Sequence, residues 1–125
     1  MKISHFILTA VVGLAGLQGA RAQAAANEER ALIAYMRVQP GTEQAFLDEA
    51  RTVTEESRRE EGNIRYQLHQ SVTDPQQFVF YELYTSDAAL QAHRNSVHVQ
   101  NFLAKTKAFT LTFTLEEYMP EGSVQ

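Results

Sequence analysis

Two segments of this chain carry apolar or aromatic side chains on both sides of a period-two alternation, and they constrain the fold more than any other feature. Arg30 to Gln39 (RALIAYMRVQ) holds Leu32, Ile33, Tyr35 and Met36; Gln77 to Thr85 (QFVFYELYT) holds Phe78, Val79, Phe80, Tyr81 and Leu83. Successive residues of a strand point to opposite faces, so a sheet built from such strands must be covered on both. One helical layer covers one face. A second copy of the chain, packed sheet to sheet, is the simplest cover for the other, and a homodimer is the expectation.

The remaining segments supply that helical layer. Pro40-Gly41 is a turn pair closing the first strand. Thr42 opens a helix with Glu43 in its first turn, where negative charge favours the dipole. Ala45, Phe46, Glu49, Ala50 and Val53 form its buried stripe, Glu55 to Glu61 a solvated end, and Gly62 falls where a left-handed C-cap is expected. From Asn63 to Val72, Ile64, Tyr66 and Leu68 alternate with Arg65, Gln67 and His69. Thr73-Asp74-Pro75-Gln76 turns this strand into Gln77–Thr85 as a hairpin. Ser86 caps a helix over Ala88 to His93; Asn95-Ser96 breaks it and caps a second piece from Val97 to Lys107. Phe109, Leu111, Phe113 and Leu115 then alternate with Thr110, Thr112, Thr114 and Glu116 in a last strand. The order β-α-β-β-α-β is the split motif of the ferredoxin-like α+β sandwich. It is expected over residues 30–119, with a tail at 120–125.

Ahead of this domain the chain has a different character. Met1 to His5 carries one Lys, Phe6 to Leu17 (FILTAVVGLAGL) is an uncharged apolar run, and Ala20-Arg21-Ala22-Gln23-Ala24 is rich in small residues. This is the three-part pattern of a cleavable secretory signal over residues 1–22, with cleavage near Ala22 or Ala24. A helix of this run covers about 18 Å, short of the roughly 30 Å hydrocarbon core, so no stable membrane insertion is expected. The prediction is export across the inner membrane, with a periplasmic location. Residues 23–29 (QAAANEE) read as a tether.

Cleavage after Ala22 would leave nine Lys and Arg against fifteen Asp and Glu, a net charge of −6. That balance argues against nucleic acid and anionic membrane surfaces as partners. The chain has no cysteine, so lipid attachment, disulfide staples and thiol nucleophiles are all excluded. A domain of this size without staples is helped by oligomerisation.

The stretch Glu60 to Lys105 resembles the antibiotic biosynthesis monooxygenase domain family, which includes quinol monooxygenase-like members. The matching pieces are Glu61-Gly62-Asn63 at a helix exit, the aromatic strand Phe78 to Tyr84, and Ala92 to His98 with its Ala-His and Ser-x-His elements. Counting the first strand and Pro40-Gly41, the resemblance spans about residues 30–117. It implies a dimeric α+β barrel that oxidises a small phenol- or quinol-like aromatic with O₂ and without cofactor. A branch of the same family isomerises sugar-phosphate-like diones, which implies an alternative: an isomerase of a small hydroxy-carbonyl compound. A non-catalytic periplasmic small-molecule-binding protein is the other alternative. A haem-degrading branch uses an Asn–Trp–His set; this chain has no Trp, and Ala34 falls where the Asn would stand.

Oxygenation of a hydroxy-aromatic needs a base near neutral pH and a dry aromatic pocket, and histidine is the natural base. His98 matches the family's Ser-x-His position and is the first candidate acid/base, with His93 the second. Each has a plainer alternative, a solvated helix end for His98 and a packing role for His93. Tyr66 and Tyr81, from neighbouring strands, are candidates to line a substrate pocket, against ordinary core burial. His69, beside Arg65 and Gln67, reads as a rim or interface residue that could touch substrate. No metal site is expected, because histidines at i and i+5 do not share a helix face. Nor is there a Gly-x-Ser-x-Gly elbow or a phosphate-cradling glycine loop.

Overall fold

In the computed structural model, residues 18–19 and 28–122 are described. The expected signal segment and tether lie outside them apart from Gln18, Gly19, Glu28 and Glu29. The elements are β1 (Arg30–Val38), α1 (Glu43–Arg58), β2 (Asn63–Gln70), β3 (Gln77–Tyr84), α2 (Asp87–Arg94), α3 (Val97–Thr106) and β4 (Thr110–Tyr118). They form one antiparallel sheet in the order β2-β3-β1-β4, the ferredoxin-like arrangement. Among the described residues no helix is long and apolar enough to cross a membrane.

Local chemistry sets the boundaries. Thr42 N–H closes a turn on the Gln39 carbonyl at 3.1 Å, with Gly41 at φ 85°, a conformation that costs a residue with a Cβ and costs glycine little. Gly62 plays a different part from the expected left-handed cap, since among the described residues Gly41 alone has positive φ. Helix α1 ends at Arg58 with Arg59 still right-handed. A Cβ on Gly62 would lie 2.3 Å from the Ala89 Cβ, so this glycine is required by the close approach of α2. Ser86 and Ser96 cap α2 and α3, accepting from the Ala89 and Val99 amides. The latter break turns α3 away from the line of α2.

The helices cover the sheet face formed by Leu32, Ala34, Met36 and Val38 of β1 and Phe78, Phe80 and Tyr84 of β3, all buried. Phe46 of α1 stacks at 4.4 Å from Phe78 and edge-on at 5.7 Å from Phe102 of α3. The stripe of α1 is Phe46, Ala50, Val53 and Ser57, while Ala45 is exposed. The stripe therefore begins at Phe46, one position later than its expected start. On the opposite face Ile33, Val79, Tyr81 and Leu83 are only half-buried and Tyr35 is 41% exposed. The chain thus has the two-faced apolar sheet that its strands require, with helices on one face only.

Strand β4 departs from the expected burial. Phe113 pairs with Met36 and Leu115 with Ala34, so both point to the helical side, since directly opposed residues share a face. Yet they remain 44% and 45% exposed. β4 is an edge strand tied to α2 by Arg94 and Glu117 at 2.8 Å, and the space left between it and the helices is the cavity described next.

Candidate active site

Between the inner face of β1 and β4 and the pair α2–α3 lies a cavity of about 230 Å³. Its walls are mostly apolar: Leu32, Ala34 and Met36 from β1, Phe80 from β3, Val99, Phe102 and Leu103 from α3, and Phe113 and Leu115 from β4. Tyr66, Glu82, His93, Arg94 and Gln100 are the polar or hydrogen-bonding residues on it. Pockets that orient small molecules typically combine an apolar lining with a few convergent polar groups.

Glu82 occupies the middle of β3, directly between Tyr66 of β2 and Leu32 of β1. It is 3% exposed. Burial away from water pushes its carboxyl up to about 7, reinforced by the nearby Glu60 charge and opposed by the Tyr84 hydrogen bond and Arg94. Tyr84, itself fully buried, donates its hydroxyl to Glu82 Oε2 at 2.7 Å. On the other side His93 Nε2 lies 3.3 Å from Glu82 Oε2.

His93 is packed between aromatic rings, its centroid 5.5 Å from Tyr66 and 5.0 Å from Tyr84. Desolvation lowers its pKa, partly offset by Glu60. Its Nδ1 is 2.8 Å from Glu60 Oε1, and His98 Nε2 meets that same oxygen at 2.5 Å. Glu60 sits in the turn between α1 and β2, where the Asn63 amide bonds to its carbonyl and the Thr85 amide bonds to Gly62. The close approach of Gly62 to α2 is what brings this turn within reach of His93. Tyr66 stays a phenol over the working range, because burial and the Glu82 charge raise its pKa well above 10.

The expected site residues therefore separate into two groups. His93 and Tyr66 line the cavity, and His98 joins them indirectly through Glu60, lining a neighbouring groove with Glu49, Thr52 and Glu56. Tyr81 and His69 point to the other face: Tyr81 pairs across with Ile33 and Gln67, and His69 with Val79. Adjacent strands do not place Tyr66 and Tyr81 together, because the register sets Tyr66 opposite Glu82 and leaves Tyr81 one residue out of phase. His69 lies by a shallow depression shared with Tyr35 and Val79.

Two acidic residues were not singled out in the sequence. Glu82 carries a usable signal, a carboxylate in the same phase as Phe78, Phe80 and Tyr84. Glu60 carries none, since it sits in a run of surface charges. Histidines at i and i+5 diverge only along one continuous helix. The Asn95-Ser96 break removes that premise, and the ligand-type atoms of Glu60, His93 and His98 all lie within 4.8 Å of one another. Ligands around a tetrahedral ion bonded at 2.0–2.1 Å stand about 3.3 Å apart. The two contacts to Glu60 Oε1 are tighter than that and are those of a hydrogen-bonded cluster.

Comparison with known proteins places the chain in a family. The antibiotic biosynthesis monooxygenase family profile matches residues 30–105. The Bacillus subtilis (strain 168) protein named "Putative monooxygenase YcnE" is 40% identical over 76 residues, 61% of this chain and 80% of that one. Among solved structures, PA3566 from Pseudomonas aeruginosa is 29% identical with a TM-score of 0.72, over 78% of this chain and 98% of that one. A Nitrosomonas europaea protein titled "Putative antibiotic biosynthesis monooxygenase" is 27% identical with the same TM-score, over 75% and 91%. The chain belongs to the antibiotic biosynthesis monooxygenase family.

Proposed function

We propose that this protein is a cofactor-independent monooxygenase that oxygenates a small quinol- or phenol-like aromatic in the cavity, with O₂ as co-substrate. The observation that carries the reading is Glu82: a buried carboxyl facing an apolar cavity, held near neutrality and in contact with His93. A base tuned close to the working pH is what removal of a phenolic proton requires, and the resulting anion is electron-rich enough to give electrons to O₂. For a hydroquinone the balance is substrate plus O₂ to hydroxyquinone plus water. One oxygen atom bonds to a ring carbon, the other leaves as water, and the four electrons come from the substrate. The apolar walls hold the ring and exclude bulk water, while Tyr66 donates a hydrogen bond to a substrate oxygen.

The half-buried apolar patch of Ile33, Tyr35, Val79, Tyr81 and Leu83 supports a homodimer packed sheet to sheet. The apolar run at Phe6 to Leu17 supports export, which would place the enzyme near envelope quinols and incoming aromatics. The test is O₂ uptake by purified protein against a hydroquinone panel. Wild type consumes O₂ and forms hydroxyquinone, and Glu82→Gln does not; no uptake above buffer with any substrate refutes the oxygenase.

A second reading rests on the same Glu82–His93 pair, which could shuttle a proton between carbons of a small hydroxy-carbonyl compound and act as an isomerase. Turnover that persists in anaerobic buffer selects the isomerase. A ligand bound without turnover in either condition selects a binding protein.

A further inference from the structure

From Glu82 and His93 on the cavity wall a path of close polar contacts leads toward the surface, hydrogen-bonded from His93 onward. It runs from Glu82 Oε2 to His93 Nε2 at 3.3 Å, from His93 Nδ1 to Glu60 Oε1 at 2.8 Å, and from Glu60 Oε1 to His98 Nε2 at 2.5 Å. Exposure of the side chains rises along the path: 3% for Glu82 and 4% for His93, then 18% for Glu60 and 22% for His98. His98 lines a groove against α1, separate from the cavity.

Donor and acceptor counting restricts how protons sit on this path. Glu60 Oε1 is approached by two ring nitrogens, and an oxygen of a carboxylate accepts two N–H bonds. With Nδ1–H given to Glu60, His93 Nε2 is left as a proton acceptor 3.3 Å from Glu82 Oε2, close enough for the two groups to share one proton. Glu82 is then neutral beside a neutral imidazole, or it is ionised beside an imidazolium. The groups facing Glu82 fix that balance: Tyr84 on its own strand, Tyr66 on β2, Glu60 after α1, and His93 and Arg94 on α2.

We propose that Glu60 and His98 are the solvent end of a proton relay whose cavity end is Glu82 and His93. The inference rests on the oxygenase reading for its purpose and on the hydrogen-bond path for its existence. Glu82 takes the proton released when the substrate hydroxyl ionises. Glu82 gives a proton to His93 Nε2, and His93, then protonated on both nitrogens, passes its Nδ1 proton to Glu60 Oε1. His98, half-exposed, exchanges with water to its Nδ1–H tautomer, takes that proton on the freed Nε2 and releases its Nδ1 proton to water. One proton enters at Glu82 and one leaves at His98, so the path returns to its starting count with no bond broken except N–H and O–H. Glu60 and His98 touch no cavity surface and act through His93, as positioning and relay residues.

The experiment uses the variants Glu60→Gln and His98→Gln in two measurements. In weakly buffered solution with a hydroquinone that wild type oxidises, His98→Gln loses turnover by about a hundredfold, the low end of what positioned proton transfer supplies. KM holds, and added imidazole buffer restores the rate, while Glu82→Gln is not rescued. Wild-type turnover in His98→Gln, or a loss that imidazole leaves untouched, overturns the relay. The second measurement needs no turnover: nitrogen NMR of the histidine rings across pH 5–9. Titration of His93 and His98 is coupled in wild type and uncoupled in Glu60→Gln. Independent titration in wild type overturns the relay, whereas coupled titration without O₂ uptake refutes the oxygenase alone.

Discussion

The Glu82→Gln substitution should make the protein more stable, and by an amount that depends on pH in a defined way. The folded state holds the Glu82 proton up to about pH 7, whereas the ordinary value is 4.5. Below pH 4.5 folded and unfolded chains both keep the proton, and the carboxyl contributes nothing to the pH dependence. As pH rises from 4.5 to 7 the unfolded chain ionises freely while the folded one does not, so stability falls. Above 7 both are ionised and the loss is complete. The difference corresponds to about 3 kcal/mol. Gln removes the titration but keeps the shape: with its carbonyl in the Oε2 position it accepts the Tyr84 hydroxyl. Urea unfolding at pH 5, 6, 7 and 8 should therefore give stabilities within about 1 kcal/mol of each other at pH 5. The variant should pull ahead by up to about 3 kcal/mol at pH 8, equivalent to a thermal midpoint difference of roughly 12–24 °C in a domain of this size. The lowered pKa of His93 acts in the opposite direction, weakening the fold as pH falls below 6.5; at pH 8 the imidazole is neutral in both proteins and this effect drops out. A stability difference that is the same at pH 5 and pH 8 would refute the assignment of Glu82 as the buried, proton-holding carboxyl.

Other consequences follow from the packing. Gly62→Ala drives a methyl into the Ala89 Cβ and should cost about 1–3 kcal/mol; Ala89→Gly in the same chain should recover most of it, read by urea midpoints. Phe46→Ala empties the fully buried meeting point of Phe78, Phe80 and Phe102 and should cost about 3–5 kcal/mol, measured in the same way. Ser96→Ala removes the α3 cap at about 1 kcal/mol, and because α3 carries His98 it should also weaken the coupling between the two histidine titrations. Tyr81→Glu on the outer sheet face should leave ligand affinity in the cavity near wild type and convert a dimer to single chains by light scattering. A wild-type chain that scatters as one copy at high concentration removes the dimer.

Much of the fold was legible before any coordinates. Periodicity, turn residues and caps located all four strands, the helix after Pro40-Gly41, and the break at Asn95-Ser96, because each of these is local chemistry acting over a few residues. The two-faced apolar strands announced a sheet needing cover on both sides. The places where the reading slipped are long-range. Gly62 resembled a cap, but its need is the packing of a helix 27 positions along the chain at Ala89. Phe113 and Leu115 carry a core pattern and stay half-open, because whether a helix reaches the edge strand is decided by the lengths and angles of α2 and α3.

By itself the sequence determined the ferredoxin-like element order, the phase of the strands apart from Ile64 at the β2 register shift, and the family, and it pointed to the two histidines on α2 and α3. What only the tertiary structure decided is which phase of each strand faces the helices. That choice put Tyr66 in the cavity and Tyr81 on the opposite surface, and it made Glu82 a buried acid instead of an interface residue. It also joined Glu60 to His93 and His98 across 33 and 38 positions of chain. The physical reason is that strand alternation fixes relative sides but not which side is inside. A carboxylate's chemistry depends on the water and charges around it, and those come from residues far away in sequence.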